Sequence, residues 1–158
     1  MTNCKEINWH SKRLDRMMNI RAYGKASGVP ILVFPTQDAM SDNFENFGMI
    51  EAMSEDLRSG RIQLFCVDTV DIETWSNIWG DKEWRARRQE QYYGYIIDEV
   101  VPRIHKENTS KRLPIAAGCS LGGLHAAIVF FRRPDLFDGV LALSGVYDAK
   151  FFTDGWMN

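Results

Sequence analysis

The sequence predicts an α/β fold: a mostly parallel sheet covered by helices on both faces, with an antiparallel hairpin at its N-terminal end. Three observations lead there. Short, largely apolar runs at residues 30–34, 61–67, 113–117 and 139–143 read as buried strands. Stretches of helical length and period separate them, so strand and helix alternate along the chain. The 158 residues, 45% of them apolar, suffice for a single domain over residues 1–158 with a real core.

Residues 3–10 and 16–23 read as the hairpin, around the polar break Ser11-Lys12-Arg13. His10 then lies on a solvated strand. Residues 24–28 form a turn, and the strand at 30–34 leads into the polar loop Pro35-Thr36-Gln37-Asp38-Ala39. Ser41 or Asp42 can cap a helix that runs, with a break at Gly48, to Ser59. Ile50, Met53 and Leu57 form its apolar stripe, and Gly60 stops it. The strand at 61–67 ends in Asp68-Thr69-Val70-Asp71, with Trp75 and Trp79 in the loop beyond. Such loops line the site in open α/β sheets. The two tryptophans therefore either wall a substrate pocket or pack on the helix that follows.

That helix covers residues 82–106. Tyr93, Ile96, Ile97, Val100, Val101 and Ile104 repeat at helical spacing. Pro102 removes a backbone donor and should bend the helix near its end. The opposite face, with Arg85, Arg87, Arg88, Glu90 and Glu99, reads as solvated. His105, in the last turn, suits the negative end of the helix dipole.

The stretch Gly118-Cys119-Ser120-Leu121-Gly122-Gly123 organises the rest. It reads G-x-S-x-G, between an apolar strand at 113–117 and an apolar helix from Leu124 to Phe131. That context places Ser120 on a tight turn, its Oγ above the C-terminal edge of the sheet. Gly118 and Gly122 permit a close approach that a Cβ would obstruct.

With Pro134-Asp135-Leu136-Phe137 and Ala142-Leu143-Ser144-Gly145, this stretch resembles the putative-esterase branch of the α/β-hydrolases. That branch includes esterase D-like thioesterases, feruloyl esterases and mycolyltransferases. The resemblance runs from about Met18 onward and is strongest from Pro114 to Asp148. It implies a three-layer α/β-hydrolase sandwich and a serine ester or thioester hydrolase with Ser120 as nucleophile. The backbone N–H groups of Leu121 and Gln37 would form the oxyanion hole. Gln37 follows from placing Asn43-Phe44 on the family's matching pair. Pro35-Thr36 stands where the family usually shows glycine. The resemblance implies a small-molecule ester or thioester substrate, and no metal or organic cofactor.

The acid–base pair is what the sequence does not supply. In this fold the order is Ser, then Asp or Glu, then His. After Ser120 come the acids Asp135, Asp138, Asp148 and Asp154, but His125 precedes all of them. On the same helix, five residues on, it lies about 140° around the axis and about 7.5 Å along it, so it should point away from the serine. His10 and His105 stand in the wrong chain order. The expectation is a C-terminally truncated esterase, lacking the last strands of the fold. The alternative is a non-catalytic α/β-hydrolase-like scaffold or binding domain. With nothing left to cover it, the strand at 139–143 should self-associate through its edge.

A net charge of −2 gives no reason to expect nucleic acid. No apolar run is long enough to span a bilayer, and residues 1–18 show no apolar signal segment. Cys4, Cys66 and Cys119 are widely spaced, with neither metal nor disulfide spacing, which suggests a reducing compartment and the cytoplasm.

Overall fold

The computed structural model describes residues 3–148 and 150–153. Six strands form one sheet in the order β1-β2-β4-β3-β5-β6. β1 (Cys4–Ser11) and β2 (Arg16–Gly24) make the hairpin, and β2 runs antiparallel to β4 (Ile62–Val67). β4, β3 (Val29–Phe34), β5 (Ile115–Cys119) and β6 (Gly139–Leu143) are all parallel. The hairpin thus sits at one end of the sheet and β6 at the other.

Alternation along the strands sorts two cores. Leu32 and Phe34 of β3, with Phe65 and Val67 of β4, face one side. There they meet Tyr92, Tyr95, Ile96, Val100 and Ile104, and Ala126 and Val129 from the helix after β5. Ile31 and Val33, with Leu64 and Cys66, face the other side, against Ile50 and Leu57. Successive Cβ atoms point to opposite faces, so strands with apolar residues at both parities need a helical layer on each side. Burial in this second core pushes the Cys66 thiol well above its usual pKa.

The connection after β3 departs from the expected helix. It folds as three pieces, α1 (Asn43–Asn46), α2 (Met49–Ala52) and α3 (Ser54–Ser59). Gly48 adopts φ 75°, which ends α1, and a second break falls at Met53. Asp42 caps no backbone N–H; its carboxylate accepts from the Asn46 side chain instead. Gly60, at φ 84°, does stop α3.

The long helix is continuous in space but not in type. α4 (Lys82–Tyr95) starts at Asp81, whose carboxylate accepts from the Trp84 N–H at 2.7 Å. A π turn follows at Ile96–Val100, and α5 (Val101–Glu107) completes the run. The Val101 N–H reaches back five residues to the Ile96 carbonyl. This widened turn stands directly before Pro102, where an α-helical bond is missing and the ring would crowd the carbonyl four residues back.

The face expected to be solvated is partly buried, because it covers loops. Arg85 is 2% exposed and donates to the carbonyls of Thr74, Trp75 and Phe152. Burial pulls its guanidinium below the usual value. Half-buried Glu99 accepts from Trp9 Nε1, Ser11 Oγ and the Arg13 N–H, tying the helix to the hairpin. Arg87 remains exposed, as expected. The chain closes with α6 (Leu121–Arg132), a 3₁₀ turn at Pro134–Leu136, β6 and α7 (Lys150–Thr153).

Candidate active site

One residue, Ser120, separates the end of β5 from the start of α6. Its backbone sits at φ 58°, ψ −124°. For a residue with a Cβ, such a conformation costs on the order of 1–3 kcal/mol and persists only where the surroundings over-determine it. Here they do. The Ser120 N–H donates to the Leu143 carbonyl at 3.0 Å, and the Ser120 carbonyl accepts from Gly123, Leu124 and Val146.

Two glycines make the turn possible. A Cβ on Gly118 would lie 2.3 Å from the Gly122 carbonyl oxygen. One on Gly122 would lie 2.3 Å from the Pro35 oxygen and 2.5 Å from that of Phe34. The first turn of α6 therefore rests directly on the end of β3. Phe34 pairs with Gly118 in the parallel register. Three residues beyond each partner lie Gln37 and Leu121, so both loops leave the sheet together at its C-terminal edge.

The loop after β3 is braced by side chains. Asn43 Oδ1 accepts from the Thr36 N–H at 3.0 Å, and the Ala39 N–H closes a turn onto the Thr36 carbonyl. Asp38 adopts φ 61°. The Gln37 side chain donates to Ser76 Oγ at 2.8 Å, and that hydroxyl donates to the Asp38 carboxylate. The Thr36 N–H is thus engaged, whereas the Gln37 N–H has no partner among the described residues. Leu121 is the first residue of α6, where backbone N–H groups lack an intrahelical acceptor.

The three histidines lie elsewhere. His10 is on exposed β1, 3.3 Å from Asp15 and four strands from β5. At about 4.8 Å per strand that is roughly 19 Å across the sheet. His105 ends α5, which feeds the start of β5 and so lies at the edge opposite Ser120. His125 is fully buried, with Nε2 2.8 Å from Asp71 Oδ1 and Nδ1 3.2 Å from the Tyr93 hydroxyl. Phe34, Trp75, Tyr92 and Tyr93 surround its ring. Helical geometry turns it away from the serine, but it is no isolated packing residue: it forms a buried pair with Asp71. Sequence reasoning missed that pair, because its members are 54 residues apart and no spacing pattern links them. Asp68, on the same loop, accepts from the backbone of Asn19 and Ser41 and so fixes the end of β4 to its neighbours.

Of the two loop tryptophans, Trp75 packs edge-on against His125 and Phe152 and lines a cavity between α4, α6 and α7. Trp79 is 92% exposed. Among the acids after Ser120, Asp135 pairs with Arg133, which holds its carboxyl below the usual range, and Asp138 pairs with Arg112. Asp148 accepts from the Lys150 N–H, and Asp154 lies outside the described residues. Among the described residues no group of three or more His, Cys, Asp or Glu is placed to hold a metal. No helix among them is long and apolar enough to cross a membrane.

A strained serine between a parallel strand and a helix, beside the loop of the neighbouring strand, is the nucleophile-elbow arrangement of α/β-hydrolases. Residues 11–154 match the family described as "Putative esterase", and the chain belongs to that family. Solved structures agree at the level of fold. A fluorophosphonate-binding serine hydrolase of Staphylococcus aureus is 17% identical with a TM-score of 0.72, over 97% of this chain and 61% of that one. An S-formylglutathione hydrolase from the same organism is 16% identical with a TM-score of 0.71, over 98% and 63%. The enterobactin esterase of Shigella flexneri is 21% identical with a TM-score of 0.62, over 92% and 38%. The chain thus spans about three fifths of the length of the first two. No curated protein sequence matches it.

Proposed function

We propose that this chain carries the nucleophile and oxyanion hole of a serine hydrolase acting on a small-molecule ester or thioester. The observation that carries the reading is the backbone of Ser120, held at φ 58° on a strand–helix turn. Ser120 Oγ attacks the acyl carbon, and the carbonyl oxygen takes up the negative charge. The N–H of Leu121 and the unpartnered N–H of Gln37 receive that oxyanion. Asn43 engages the Thr36 N–H, which favours Gln37 as the donor. The chemistry needs no metal or organic cofactor. Three free cysteines fit a reducing compartment, and we assign the chain to the cytoplasm.

A serine hydroxyl is a weak nucleophile until a base takes its proton. None of the three histidines is placed for that task, so in this reading the acid and histidine lie outside these residues. The test is hydrolysis of p-nitrophenyl acetate by the 158-residue chain. Rate enhancement should stay within about 10³–10⁴-fold over water, the residue left by oxyanion and binding effects. Ser120→Ala should leave that residual nearly unchanged, because a serine without its base adds little and the oxyanion donors remain. A rate no greater than that of water alone would remove the oxyanion hole and leave the non-catalytic domain as the reading. Ordinary turnover that vanishes in Ser120→Ala would show that a base is present, with His125→Ala and His10→Ala the next variants.

A further inference from the structure

The turn that carries Gln37 has a form its own residues do not favour. The Ala39 N–H donates to the Thr36 carbonyl at 3.1 Å, so residues 36–39 make a β-turn with Gln37 and Asp38 at its centre. Asp38, at the third position, takes φ 61°. Glycine or asparagine ordinarily meets a positive φ there. The turn also aims a donor. In a planar trans peptide the C=O and N–H point in opposite directions, and the Thr36 carbonyl is engaged inside the turn. The Gln37 N–H, in the same peptide plane, is therefore directed outward, away from the turn.

One hydroxyl, from the loop after β4, spans both central residues of that turn. Ser76 Oγ accepts from Gln37 Nε2 at 2.8 Å and donates to Asp38 Oδ1 at 2.5 Å. The second bond ends on a carboxylate, which places it among the stronger kind. The Ser76 loop is itself held. The N–H groups of Thr74 and Ser76 both donate to the Asp71 carbonyl, at 3.0 and 2.9 Å. The Asp71 carboxylate is bound to His125 on α6, the helix that begins at Leu121. The buried Asp71–His125 pair, which the proposed chemistry does not use, thus ties the Ser76 loop to the helix that carries the other oxyanion donor. We infer that Ser76 is a positioning residue for the oxyanion hole: it holds the 36–39 turn in the form that presents the Gln37 N–H. The inference rests on the reading of Ser120, Leu121 and Gln37 proposed above. Its physical content is preorganisation, since a donor stabilises an oxyanion best when it is in place before the charge develops. Without the Ser76 hydroxyl, Asp38 loses the side-chain partner that offsets its strained φ, and the turn relaxes toward forms with a negative φ at that residue.

The test uses the 158-residue chain, its p-nitrophenyl acetate rate relative to water, and the backbone amides of Gln37 and Asp38 followed by heteronuclear NMR. Ser76→Ala should lower the rate above water about tenfold, less than the roughly 10²–10³-fold that loss of a whole oxyanion donor costs. It should also shift the Gln37 and Asp38 amide resonances while the native circular dichroism is kept. Ser76→Thr retains the hydroxyl and should retain the rate. The diagnostic variant is Ser76→Ala combined with Asp38→Gly. Glycine takes φ 61° without steric cost, so the double variant should recover most of the rate that Ser76→Ala loses. A merely structural role for Ser76 gives no such recovery. With a parent rate above that of water, the inference alone is overturned by any of three results: Ser76→Ala leaves the rate unchanged, Ser76→Thr loses as much as Ser76→Ala, or adding Asp38→Gly recovers nothing. Unchanged Gln37 and Asp38 resonances in Ser76→Ala overturn it as well, whatever the rate. A parent rate no greater than that of water removes the oxyanion hole and this inference with it, so the two failures are told apart by the parent.

Discussion

Removing His125 should destabilise this fold more than removing any surface charge, and the structure gives the size. Asp71 is 1% exposed, and its Oδ1 is held by His125 Nε2 at 2.8 Å. Its Oδ2 already lacks a partner among the described residues. In His125→Ala the carboxylate stays buried with neither oxygen hydrogen-bonded among the described residues. Breaking a buried pair by deleting one partner costs about 3–5 kcal/mol. The void left among Phe34, Trp75, Tyr92 and Tyr93 adds to that. Against a total stability of about 5–15 kcal/mol, this is a large share. The diagnostic variant is Asp71→Asn in the His125→Ala background, which removes the stranded charge at nearly constant shape. The double variant should be more stable than His125→Ala alone by about 2 kcal/mol, a non-additivity typical of contacting residues. Urea unfolding at neutral pH, followed by circular dichroism, measures both. A His125→Ala cost below about 1 kcal/mol, or a double variant less stable than the single, would refute the reasoning.

Gly122→Ala should cost about 3 kcal/mol or more, the upper end of overpacking, because its Cβ would lie 2.3 Å from the Pro35 carbonyl oxygen. A thermal midpoint equal to that of the parent would contradict the close approach of α6 to β3. Burial raises the pKa values of Tyr92, Tyr93 and Tyr95 above the ordinary 10.0. Their neutral form is the one the fold retains, so the associated stability is intact below pH 10 and lost as pH rises beyond it. Tyrosinate absorbance from these three should appear together with loss of circular dichroism; smooth ionisation in a protein that stays folded would count against their burial. β6 pairs only with β5 among the described residues, and its Leu141 and Leu143 are 52% and 61% exposed. We expect the isolated chain to self-associate through this edge, and Leu141→Lys with Leu143→Lys to reduce light scattering; a parent that stays a monodisperse monomer across the micromolar range would rule this out.

The sequence by itself determined the order of elements and the place of Ser120. Both depend on local signals: apolar runs of strand length, a stripe at helical period, and glycines at 118 and 122 where a backbone passes at contact distance. The stop at Gly60 and the disruption before Pro102 were legible for the same reason, since each follows from one residue's own backbone chemistry. The tertiary structure alone decided what the polar residues do. Arg85 and Glu99 lie on a helix face that reads as solvated, yet the loop carbonyls at Thr74 and Trp75 and the hairpin at Trp9 to Arg13 fold over that face and bury them. Asp71 and His125 show no mutual spacing, and only the parallel placement of β4 and β5 on either side of β3 brings their elements together. Periodicity reports which face of an element is apolar, whereas a partner for a buried charge is chosen by distance in space, and that depends on which strands become neighbours.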